Sequence, residues 1–126
     1  MTLRRHIGAL VAVLLAPAFA SAASYDTANF TTEAPTAELA KKFGDMAEFY
    51  RKEKALEWTG KEMPQWPRRC PLQVQITQSS AGGATTFTFG QDGGKPAITS
   101  IRMEIRGDAK QLLHSVLPHE VTHTVL

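Results

Sequence analysis

The sequence predicts an α+β domain: a long N-terminal helix, a small antiparallel β-sheet of about three strands, and a last helix holding the motif His119-Glu120-Val121-Thr122-His123. Three observations predict it. Leu39, Phe43, Met46 and Tyr50 step along the chain at helical spacing. Between Leu72 and Ile105 the period changes to two, in three runs separated by turn residues. After Gly107 the apolar spacing returns to that of a helix.

The first 22 residues are predicted to be an export signal, not structure. Arg4 and Arg5 form a positive start and residues 7–16 a short apolar run, and Ala18-Phe19-Ala20 and Ala20-Ser21-Ala22 offer small-x-small cleavage sites after Ala20 or Ala22. The run is well below the ~20 residues that span a bilayer, and Pro17 interrupts it. Residues 23–126 are then one domain in an exported, periplasmic or secreted, protein with no membrane span after signal cleavage. Removing Arg4 and Arg5 leaves 12 basic residues against 12 acidic ones, so no electrostatic footprint for nucleic acid is expected.

Residues 24–32 are polar and aperiodic and are expected to form an extended N-terminal segment without chemistry; Asn29-Phe30-Thr31 matches a glycosylation acceptor only in a host with that machinery. Over residues 35–58 the helix can be capped by Thr32 or Thr36, bears the costly Gly44, and ends at Gly60. Its charged residues Lys41, Lys42, Glu48, Arg51, Lys52 and Glu53 are expected to face water, and Tyr50 and Trp58 to join the core. A proline-rich connector over 63–71 leads to strands over 72–77, 85–89 and 98–106. Cys70, the single cysteine, is expected to be a small buried hydrophobe at a strand start, or to pair with sequence not present here; nothing beside it favours a reactive thiolate. Asp108 with Gln111 three residues on forms a capping box for the last helix. Pro118 either kinks that helix or opens a second one, and both arrangements leave 119–126 helical.

On such a helix His119 and His123 point the same way, about 40° and about 6 Å apart, as two neighbouring ligands of one Zn2+ require. Glu120 lies beside the metal position, where a carboxylate can act as the general base toward a metal-activated water. His114, about 140° round from His119 on a continuous helix, is not expected to be a ligand. Two imidazoles and a carboxylate suit several divalent metals.

The run Leu117-Pro118-His119-Glu120-Val121-Thr122-His123-Thr124 resembles the active-site helix of the gluzincin, or peptidase MA-like, zinc metallopeptidases, and H-E-x-T-H is similar to the thermolysin-type form. With residues 55–70 and 82–89, it resembles an uncharacterised group of exported bacterial zincin-like proteins. The resemblance implies a sheet above an active-site helix, His119 and His123 as zinc ligands, Glu120 as general base, and a peptide or protein as substrate. It also implies a third ligand downstream of His123 that this chain does not supply; the upstream acids Glu104 and Asp108 are weak substitutes. The chain is therefore expected to be an N-terminal fragment of a zincin-like domain or a truncated gene product, binding zinc loosely and cleaving little by itself. The competing expectation is a non-catalytic exported binding module with a vestigial H-E-x-x-H helix. Within the enzyme reading, residues 85–89 are the candidate edge strand for pairing with an extended peptide.

Overall fold

The chain from Ala22 to Leu126 builds one mixed sheet, and the computed structural model describes these residues, 22–126. The predicted export signal lies, up to residue 21, outside the described residues. Strand β1 (Ala23–Asp26) pairs antiparallel with β2 (Phe30–Ala34), and helix α1 (Ala37–Thr59) then crosses over to β3 (Cys70–Ile76), which lies parallel to β2. Strands β4 (Gly82–Asp92) and β5 (Lys95–Gly107) form a hairpin whose second strand inserts beside β3, giving the order β1-β2-β3-β5-β4. A helical segment closes the chain: α2 (Ala109–Gln111), a π-helical turn (Leu112–Val116) and α3 (Leu117–Val125).

This corrects the predicted fold class. The sheet has five strands, not three; it is mixed, not antiparallel; and the long helix follows a strand pair rather than opening the domain. The first two strands escape a periodicity reading because polar residues occupy buried positions. In β2 the inward residues are Phe30, Thr32 and Ala34, and Asn29 just before them is also buried. β5, whose inward face carries Ile101, Met103 and Ile105, pairs parallel with β3 in the interior of the sheet. The more polar β4 takes the edge. Gly93 and Gly94, at φ 58° and 81°, make the two-residue turn that lets pairing run up to Asp92 opposite Lys95.

The inward face of the sheet, chiefly Phe30, Leu72, Val74, Met103 and Ile105, packs with Phe43 and Ala47 of α1 and Leu117 and Val121 of α3 into the core. The outer face presents Gln73, Gln75, Arg102, Glu104 and Arg106 to water. Thr36 caps α1 by accepting from the Leu39 amide, and Gly60 ends it in the left-handed conformation. Gly44, unfavourable for a helix, is there for contact: a Cβ would lie 2.8 Å from Tyr25 Cδ1 and 3.1 Å from Thr32 Oγ1.

Three residues of α1 depart from expectation. Arg51 is buried; its guanidinium stacks 4.3 Å from the Trp66 ring centre and donates to the Met63 and Pro64 carbonyls, clamping the connector to the helix. Glu48 accepts from the backbone amide and side chain of Asn29, at 2.6 and 2.9 Å. With its Oδ1 also accepting from the Trp66 amide, Asn29 is a structural residue shielded from modification. Trp58, expected in the core, is exposed.

The helical segment answers the Pro118 question. The Leu117 amide donates to the Leu112 carbonyl, one residue beyond the α-helical partner, and Pro118 has no amide to donate. Both donors that the Leu113 carbonyl could have used are thereby lost. The Tyr50 hydroxyl replaces them, donating to Leu113 O at 2.7 Å and tying α1 to the π-helical turn that precedes α3. Tyr50→Phe keeps the ring and removes that donor, so it should lower unfolding free energy by about 1 kcal/mol, read as a lower urea midpoint at unchanged slope.

Candidate metal site

His119, Glu120 and His123 are all on α3, and the phase of that helix divides them. Val121 and Val125 face the core together with Leu117, which turns Glu120 inward beneath β4 and leaves His119 and His123 exposed. The two imidazole Nε2 atoms lie 3.3 Å apart, with ring planes at 88°. Two nitrogens at about 2.0–2.1 Å from one tetrahedral ion would be about 3.3 Å apart. At that distance one ring nitrogen can donate to the other, in the tautomer that carries its proton there, or both can ligate one cation. One ligating atom from each of the three residues falls within 4.8 Å of the others, and among the described residues they are the one such group. The group can hold a metal ion.

Glu120 is only 5% exposed, and its carboxylate is held from the sheet. Thr85 of β4 donates its hydroxyl to Glu120 Oε2 at 2.7 Å. The strand gets that close because residue 83 has no side chain: a Cβ there would sit 2.9 Å from Glu120 Cγ and 3.0 Å from Val116 Cγ1. Neither Gly83 nor Thr85 stands out in the sequence, where Gly83 reads as turn and Thr85 as a strand residue. The available signal is alternation, since Thr85 shares the face of Phe87.

The other candidates are apart from the group. His114 is exposed on the π-helical turn and lies outside the group that could hold a metal. Glu104 lies on the outer face of the sheet, bridged to Arg102 at 2.6 Å, and Asp108 caps α2 by accepting from the Gln111 amide at 3.0 Å. Neither acid reaches the histidines. Thr122 and Thr124 bond back to their own helix, to Pro118 O and Val121 O. Beside His123 opens a groove of about 540 Å³, with walls that include Trp66, Phe87, Ile101 and Leu126. Residues 85–89 lie in β4, the free edge of the sheet.

No protein-family model, curated protein or solved structure matches the chain. No helix among the described residues is long and apolar enough to cross a membrane.

Cys70 opens β3 fully inside the core, and burial pushes its thiol up to about 12. The thiolate that reacts is scarce there and shielded. A chromogenic disulfide reagent at pH 8 should therefore leave the native chain unlabelled and titrate one thiol on unfolding in urea; prompt labelling of the native chain would contradict this placement.

Proposed function

We propose that the chain carries the metal-binding helix and base of an exported zinc-dependent hydrolase of peptide bonds, acting on a peptide or protein substrate. The observation that carries the reading is the pairing of two convergent imidazole nitrogens, 3.3 Å apart, with a carboxylate held beside them under the sheet edge. The gluzincin resemblance of the same residues supports zinc as the metal, and a nitrogen pair at tetrahedral spacing fits it.

His119 and His123 would hold the ion. Bound zinc supplies Lewis acidity, lowering the pKa of a water to about 7 and polarising a carbonyl. Glu120, with Oε2 held by Thr85, keeps its other oxygen for proton transfer. It takes a proton from the attacking water as the C–O bond forms and returns it to the departing amine as the C–N bond breaks. An extended peptide can pair along the free edge of β4, whose outer backbone groups have no strand partner among the described residues. Catalytic zinc ordinarily has three protein ligands, and among the described residues only Glu120 joins the two histidines. With Glu120 kept as the base, the two histidines alone would hold zinc loosely, and slow hydrolysis is expected of this chain.

Competition against a chromogenic chelator should find one equivalent of Zn2+ bound, lost in His119→Ala and in His123→Ala and retained in Glu120→Gln. Glu120→Gln should lower cleavage of a quenched fluorescent peptide by about 10²–10⁴-fold, the usual range for a general base. Absence of zinc uptake by the parent chain, or a Glu120→Gln variant as active as the parent, would sink the reading.

A further inference from the structure

A carboxylate one residue from a histidine ligand has two possible fates, and H-E-x-x-H spacing does not choose between them. Carboxylate oxygen binds zinc about as closely as imidazole nitrogen does. Glu120 has an oxygen within 4.8 Å of both histidine donor atoms. A small side-chain rotation would make it a third ligand, and a carboxylate spent on the metal is lost as a base.

Resting on the metal-site reading above, we infer that Thr85 is the positioning residue that keeps Glu120 out of the metal's coordination sphere. Its hydroxyl donates to Oε2 at 2.7 Å, a charge-assisted bond to a residue that is 5% exposed. The anchor is placed by backbone, not by a flexible loop: β4 pairs with β5 on both sides of Thr85, with Ala84 opposite Glu104 and Thr86 opposite Arg102. Gly83 completes the device, because any larger residue there would press on Glu120 Cγ and Val116. The bond to the sheet edge occupies Oε2, one of the two oxygens a metal could use, and the bare strand at Gly83 lets α3 come close enough for that bond to form.

Removing the hydroxyl should turn a base into a ligand. In the purified full chain, Co2+ is the probe, since its visible bands report its ligand set as well as its affinity. Thr85→Val should bind Co2+ at least about tenfold more tightly than the parent, within the range by which residues around metal ligands alter affinity, and its bands should move. Thr85→Ser, which keeps the donor, should match the parent in both. The gain should vanish in Thr85→Val/Glu120→Gln, identifying Glu120 as the acquired ligand. Should the valine variant fail to fold by circular dichroism, Thr85→Ala removes the same donor with less bulk and carries the same expectation.

Unchanged or lowered Co2+ affinity in the folded variant, or a gain that persists without Glu120, would overturn the role of Thr85 while leaving the metal site standing. If the parent chain takes up no Co2+ at all, the metal reading falls and this inference with it.

Discussion

Pro118 has no amide hydrogen, and much of the architecture around the site follows from how the chain meets that deficit. A helix running through this point in regular α register would leave the His114 carbonyl without its donor and press the proline ring against the preceding turn. The segment instead widens into a π-helical turn over Leu112–Val116, so that the Leu117 amide reaches back to Leu112 and the bare carbonyl becomes that of Leu113. Tyr50 supplies the missing donor. One widened turn shifts the downstream phase by about one residue, roughly 100°. With that phase Val121 and Val125 meet the core, Glu120 goes beneath β4, and the histidines face outward.

The second control is the placement of β4 at the sheet edge. Had the chain continued as a meander, β4 would lie beside β3 and be covered on both sides. β5, with Ile101, Met103 and Ile105 on its inward face, lies there instead, and β4 is left with one free edge and one face over α3. The polar residue on that face, Thr85, then meets the buried carboxylate on the helix. A polar group that would be a defect in the middle of the sheet is satisfied at its edge.

These two controls explain what the sequence could reveal. The helices at α1 and α3, the three later strands, the Asp108 cap and the His119–His123 pairing all depend on residues within a few positions of each other, so period and spacing disclose them. The strand pair at the start of the domain is hidden because Asn29 and Thr32 are buried with polar side chains, and the partners of Asn29, Glu48 and Trp66, are distant in sequence. Arg51 escapes for the same reason: its stacking partner, Trp66, is brought in by the connector, not by the helix. Strand order is illegible because it is a matter of pairing across the whole sheet, between residues distant in sequence.

The division also bears on what an H-E-x-x-H helix needs before it can do chemistry. Two histidines four residues apart converge on any regular helix, so their pairing alone separates a metal centre from a solvent-facing surface only weakly. The carboxylate is the discriminating group. On a helix that merely turned its polar side to water, Glu120 would be exposed with the histidines; here it is almost wholly covered, anchored across the fold by Thr85 and admitted by Gly83. Burying an ionisable side chain is unfavourable unless it is hydrogen-bonded, and this fold supplies both the burial and the bond at the residue where proton transfer would require a fixed, water-shielded base. That coincidence of cost and placement is the strongest physical support for reading the helix as part of a working site.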